Sequence, residues 1–228
     1  MKPMMLIPAA ILIAAAGLPG QWEILNEGIE NLYSIDFIDE DTGWIAGGTG
    51  HPLVEKASLF KTEDGGDTWA PLALEGNFNI EMIDFIDDSV GWAIGNTPMF
   101  TTRKGFVHKT SDGGQTWVLQ KTTPEHLVLR SIQAINDTLC YISGNDYQSE
   151  QSTFVVLKTS DGGINWIDIT PSNSNEGVIE SIRFFNDRIG LVAGYSGDSI
   201  ETFIFKTNDG GMTWTKTTIP TFASIRNV

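Results

Sequence analysis

The sequence predicts an all-β protein built from four copies of one four-stranded unit. The first observation is a nine-residue phrase that recurs as Lys61-Thr-Glu-Asp-Gly-Gly-Asp-Thr-Trp69, Lys109-Thr-Ser-Asp-Gly-Gly-Gln-Thr-Trp117, Lys158-Thr-Ser-Asp-Gly-Gly-Ile-Asn-Trp166 and Lys206-Thr-Asn-Asp-Gly-Gly-Met-Thr-Trp214, with starts 48, 49 and 48 residues apart. The second is a companion phrase that keeps the same step. It reads Ser34-Ile-Asp-Phe-Ile-Asp with Gly43-Trp44, then Met82-Ile-Asp-Phe-Ile-Asp with Gly91-Trp92, with weaker copies at Ser131-Ile-Gln-Ala-Ile-Asn and at Ser181-Ile-Arg-Phe-Phe-Asn with Gly190-Leu191. The third is that no stretch carries a convincing helical apolar period. Four strands in about 48 residues is the size of a β-propeller blade.

Within the first unit, Ile35 and Phe37 alternate with polar neighbours, the period-2 pattern of a half-buried strand. Asp39 to Gly43 is turn chemistry, and Gly43-Trp-Ile-Ala-Gly47 resumes as a second strand. A variable loop over 48–57 follows. Then Ser58–Thr62 and Thr68–Leu72 form a hairpin around Asp64-Gly65-Gly66, whose glycines accept the positive φ of a tight turn. On this pattern complete blades span about 34–74, 82–119, 131–169 and 181–217. Gln21 to Leu25 reads as a lone closing fourth strand, because Trp22 precedes Ile35 by 13 residues as Trp69 precedes Ile83 by 14. Ser224 to Val228 matches the opening of a further blade. A six- to eight-bladed ring needs about 290–390 residues at ~48 per blade. The four blades are therefore expected to be part of a larger ring, as a fragment in preference to one half of a two-chain assembly.

Composition narrows the class. The 228 residues carry 14 Lys+Arg against 29 Asp+Glu, a net charge of −15, and 41% are hydrophobic. That suits a packed protein and excludes disorder. The acidic balance argues against a nucleic-acid partner, which requires clustered Lys and Arg. The lone Cys140 cannot form an internal disulfide, and no Cys/His spacing suggests a metal. Cys140 reads as the replacement for the second-strand Trp and is expected to be buried. Met1-Lys2, the apolar run Met4 to Ala16 and the small residues Ala14 to Gly17 have the order of a secretory signal peptide over 1–20. The run is short of the ~20 residues of a spanning helix. The mature chain, 21–228, is expected to be exported, extracellular or periplasmic, with no membrane span after cleavage.

The phrase Ser/Thr-x-Asp-Gly-Gly-x-Thr-Trp resembles the Asp-box, or bacterial neuraminidase repeat. Combined with Asp-Phe-x-Asp…Gly-Trp-x-x-Gly, it is most similar to the photosystem II assembly and stability factor-like propellers, over residues 22–228. The resemblance implies that Asp64, Asp112, Asp161 and Asp209, beside Gly65, Gly113, Gly162 and Gly210, hydrogen-bond their own hairpin turns. It also implies that Trp69, Trp117, Trp166 and Trp214 pack beneath those turns. These residues are structural. The motif occurs in sialidases, xyloglucanases, sortilin-like receptors and assembly factors alike, so it implies fold more than function.

Candidates for chemistry are few. Sialidases of this fold hold a carboxylate with three arginines, but the five arginines here lack the Phe/Tyr-Arg-Ile-Pro entry phrase. Arg130 and Arg183 sit near the starts of first strands, where a central pocket is lined. Arg103 and Lys104, the only basic pair, lie on one of the variable loops where recognition concentrates. Asp39, Asp41, Asp87 and Asp88 cluster in turns, where acidic residues are ordinary and no glycosidase pair is assigned from the sequence, and Asp-x-Asp-x-Gly at 39–43 lacks the further ligands and terminal Glu of a full calcium loop. No catalytic residue, metal or cofactor is expected. The expectation is a non-enzymatic, exported scaffold with protein partners, like a photosystem II assembly factor. The alternatives are a glycoside hydrolase or sialidase-like enzyme whose catalytic residues lie in further blades, and a glycan-binding module without turnover.

Overall fold

The computed structural model describes residues 12–14, 22–24, 31–49, 56–98, 102–148, 152–172, 177–196 and 201–219. Strands β1 (Leu12–Ala14) and β2 (Trp22–Ile24) pair antiparallel. Four antiparallel meanders follow. Blade 1 is β3 (Asn31–Phe37), β4 (Gly43–Gly48), β5 (Ala57–Thr62) and β6 (Ala70–Leu72). Blade 2 is β7 (Asn79–Phe85), β8 (Gly91–Asn96), β9 (Gly105–Thr110) and β10 (Val118–Thr122). Blade 3 is β11 (Leu127–Ala134), β12 (Cys140–Asp146), β13 (Thr153–Thr159) and β14 (Ile167–Asp168). Blade 4 is β15 (Val178–Phe184), β16 (Gly190–Tyr195), β17 (Thr202–Thr207) and β18 (Thr215–Ile219). Among the described residues no helix is long and apolar enough to cross a membrane.

Two boundaries differ from the sequence expectation. Each first strand begins three or four residues earlier than its alternating pattern suggests. The reason is a β-bulge: the ladder to the second strand skips Tyr33, Glu81, Arg130 and Glu180 in turn. An extra residue reverses the alternation, so the period-2 signal begins only beyond it. Trp22–Ile24 does not stand alone, because Leu12 lies opposite Ile24 and Ala14 opposite Trp22. The remainder of the expected leader and the strand expected at 224–228 lie outside the described residues.

The core lies between blades, where each first strand packs on the second strand of the blade before it. Its apolar residues point backwards, so Ile83, Ile132 and Ile182 are 2%, 1% and 3% exposed. Ile35, the same position in blade 1, is 60% exposed. Second-strand aromatics stack across two of the seams: Trp44 on Phe85 at 3.7 Å and Tyr141 on Phe184 at 3.5 Å. The Trp44 indole N–H donates to the Gly113 carbonyl at 3.0 Å, which ties blade 1 to the turn of blade 2.

This alignment corrects the assignment of Cys140. Tyr141 occupies the Trp position, whereas Cys140 is opposite Ala134, where the other blades place Gly43, Gly91 and Gly190 opposite a Phe. The Phe ring lies against the glycine, and a Cβ on Gly43 would come within 2.6 Å of the Phe37 ring. Blade 3 exchanges Phe and Gly for Ala and Cys, so the volume is redistributed rather than lost. Cys140 is buried, and burial pushes its thiol well above its ordinary range.

Polar clamps complete two seams. Asn96 accepts the Leu129 N–H and donates to the Leu129 carbonyl, both at 2.8 Å. Asn145 does the same to Ile179, at 2.8 and 3.1 Å. Serines add to this: Ser34 accepts the N–H of Ile83 and Ser131 that of Ile182.

Candidate functional site

The Asp-box groups are consumed by their own turns. Asp64 accepts the Thr68 N–H at 2.8 Å, the Thr68 hydroxyl at 2.5 Å and the Thr62 hydroxyl at 2.7 Å. Asp112, Asp161 and Asp209 repeat the pattern with Thr116, Asn165 and Thr213. Gly65, Gly113, Gly162 and Gly210 have φ of 71–75°, the left-handed backbone this turn needs. Trp117 and Trp166 donate to the carbonyls of Gly114 and Gly163, and Trp214 to that of Ile169. Trp69 sets its ring edge-on to Phe37 at 6.1 Å. The hydroxyl and amide donors hold Asp64 and Asp209 down at about 2, and Asp112 and Asp161 below the usual carboxylate range. What these carboxylates contribute to stability is thus present above the ordinary range and is lost as pH falls through it towards about 2.

The bulges build something different. A bulge re-aims one side chain while the flanking residues keep their register. Tyr33, Glu81 and Arg130 thereby line one cavity of about 240 Å³, with Val128, Thr97 and Arg103 completing its wall. Arg130 donates to Glu81 at 3.2 Å and to the Tyr147 hydroxyl at 3.4 Å. The Arg103 guanidinium lies 5.2 Å from the centre of the Tyr147 ring. Two cations thus share one tyrosine, and one of them, Arg130, is paired with a carboxylate.

The connection between blades 2 and 3 holds these loops in place. The His126 N–H donates to the Arg103 carbonyl at 2.7 Å, and the His126 carbonyl accepts the Tyr147 N–H at 3.1 Å. His126 has φ of 72°, the one non-glycine residue with positive φ among the described residues. Lys104 points away to Glu125, 3.4 Å distant on the exposed rim.

Of the four sequence candidates, Arg103 and Arg130 come together, Lys104 does not, and Arg183 lies elsewhere. Arg183 shares its place in the repeat with Asp36, Asp84 and Gln133, beyond the bulge on the first strands. Asp36 accepts the Phe85 N–H at 2.6 Å, and Asp84 accepts that of Ala134. Burial raises both carboxyls, Asp84 to about 7; neighbouring Asp36 adds to that rise, and the Ala134 N–H and Arg183 oppose it. A folded-state value above the unfolded one of about 3.9 makes the folded state hold the proton, so stability falls as pH rises from about 4 to about 7. Asp84→Asn is expected to flatten the decline in Tm over that interval. An unchanged slope would remove Asp84 as its source.

Tyr33, Glu81 and Tyr147 were not foreseen as site residues. The repeat alignment could have singled out Tyr33 and Glu81, since they vary between near-constant neighbours. Tyr147 stands in a loop whose fold the sequence does not specify. A larger groove, of about 550 Å³, runs along the outer edge between Ile169 and Trp214, but it is the seam between blades 3 and 4.

Fold and cavity together define a β-propeller of Asp-box blades with a charged, aromatic cavity lined by its first strands. Residues 15–118, somewhat under half of the chain, match the family described as photosynthesis system II assembly factor YCF48. Among solved structures, "YCF48 bound to D1 peptide" is 23% identical with a TM-score of 0.58, covering 81% of this chain and 54% of that one. A GH74 enzyme of Niastella koreensis is 19% identical with a TM-score of 0.55, covering 78% of this chain and 28% of that one. A PL25 ulvan lyase is 11% identical with a TM-score of 0.61, covering 86% and 57%. No curated protein matches the sequence. The chain is an all-β propeller of four Asp-box blades whose residues 15–118 are similar to the photosystem II assembly factor family, and it spans about half the length of the YCF48 structure it matches.

Proposed function

We propose that this protein is a non-enzymatic interaction scaffold that binds an extended segment of a partner protein at the mouth between blades 2 and 3. One observation carries the proposal. Arg103 and Arg130 converge on Tyr147, and among the described residues Glu81, paired with Arg130, is the one carboxylate in ion-pair contact with either, an excess of positive charge in a chain of net charge −15. Such a site favours an acidic side chain of the partner, held by Arg103 while Arg130 keeps its partners. The likeness to a YCF48 structure bound to a D1 peptide supports a protein ligand. Glycoside hydrolase and lyase relatives support the fold, and a turnover role would require a pair of carboxylates poised on one substrate. In this mouth Glu81 is instead neutralised by Arg130. The leader-like residues 1–20 support export of the scaffold.

The test is selection of random dodecapeptides on the immobilised full chain, followed by affinity measurement with Arg103→Glu. The wild type is expected to retain acidic peptides, and the variant to bind them at least about tenfold more weakly, the scale of one charge-assisted contact. Equal binding by both proteins would overturn the assignment of the mouth.

A further inference from the structure

The four bulges carry an inference about specificity, which rests on the peptide-binding function proposed above. Their neighbours hardly change from blade to blade: Leu32 and Ser34, Ile80 and Met82, Leu129 and Ser131, Ile179 and Ser181. Those neighbours are committed to the seams. Leu129 and Ile179 are gripped by Asn96 and Asn145, while Ser34 and Ser131 accept N–H groups of the next blade. The bulged residue is excluded from the ladder, and its side chain differs: Tyr33, Glu81, Arg130 and Glu180. Three of the four line the same cavity, and the 3.2 Å contact of Arg130 with Glu81 places adjacent bulges within ion-pair reach.

We propose that these residues form a specificity ring with one reading residue per blade, and that its ligand is an extended peptide carrying both an acidic and a basic side chain. The charges decide the ligand. Arg130 and Glu81 neutralise one another, which leaves Arg103 on one side and Glu180 on the other. Glu180 is half-buried on β15 and has no ion pair among the described residues. An acidic ligand side chain meets Arg103, and a basic one further along meets Glu180 on the next blade. Because a bulged residue pairs with nothing in the ladder, its identity is changeable without cost to the sheet.

The experiment compares the dodecapeptides selected by the full-length wild type with those selected by Glu180→Lys. The wild type is expected to enrich peptides that contain both charge types. The variant is expected to lose the basic requirement, binding the wild-type peptides at least about tenfold more weakly, yet to keep the acidic preference and the wild-type circular dichroism and Tm. Glu180→Gln serves if the lysine variant fails to fold, with the same direction and a smaller loss. Unchanged peptide preferences in a folded, peptide-binding variant would overturn the ring while leaving the binding mouth intact. Failure of the wild type to select any peptide would overturn the binding function, and the ring with it.

Discussion

Trp44→Ala is expected to lower the unfolding free energy by about 3–5 kcal/mol, the usual cost of truncating a fully buried tryptophan. Trp44 has no exposure. Its ring lies flat on Phe85 of the next blade, 3.7 Å between centres and 4° between planes. Its indole N–H satisfies the Gly113 carbonyl, and Lys61 lies over its ring at 5.5 Å. Truncation therefore opens a cavity in the seam and removes the donor that ties the second-strand aromatic to the neighbouring Asp-box turn. Urea denaturation checks the value. A loss below about 1 kcal/mol would mean that the seam closes over the gap, against the close packing of interiors. Trp92 makes the contrast: Ala134 replaces the stacking Phe, and its indole N–H is buried without an acceptor.

The second large effect is expected at Asn145. Its amide bonds both backbone groups of Ile179, one as acceptor and one as donor, and both residues are fully buried. Asn145→Ala leaves an N–H and a C=O without partners inside the seam between blades 3 and 4. Each buried unsatisfied group costs about 1–3 kcal/mol, so the loss is expected to reach about 2–6 kcal/mol. The increased hydrogen exchange should concentrate in Val178–Phe184. Exchange confined to blade 3 alone would contradict the clamp. Asn145→Asp is expected to lose less than Asn145→Ala, because a carboxylate still accepts the Ile179 N–H.

Much of the fold was legible in the sequence because its signals are local. The Asp-Gly-Gly turns and the tryptophan that follows each one specify a hairpin through φ requirements and apolar burial, and they repeat at a nearly constant step. Two things escaped. The bulge at Tyr33, Glu81, Arg130 and Glu180 is a register property of two paired strands, and one strand read alone shows only a broken alternation. The union of Arg103, Arg130 and Tyr147 joins the loop of one blade to the inner strand and loop of the next, through a backbone bond at His126 that no spacing rule anticipates. Arg183 shows the reverse: its place near a first-strand start was legible, but three residues past the bulge it lies with Asp36 and Asp84.

The central claim is that the bulged mouth, and not the Asp-box rim, binds the partner. The most direct measurement follows the side-chain Nε–Hε resonances of the five arginines in ¹⁵N spectra of the full chain while a selected acidic dodecapeptide is added. Saturable shifts of Arg103 and Arg130, with Arg183 and Arg188 unmoved, are the expected result. Peptide binding that leaves Arg103 and Arg130 unmoved would contradict it.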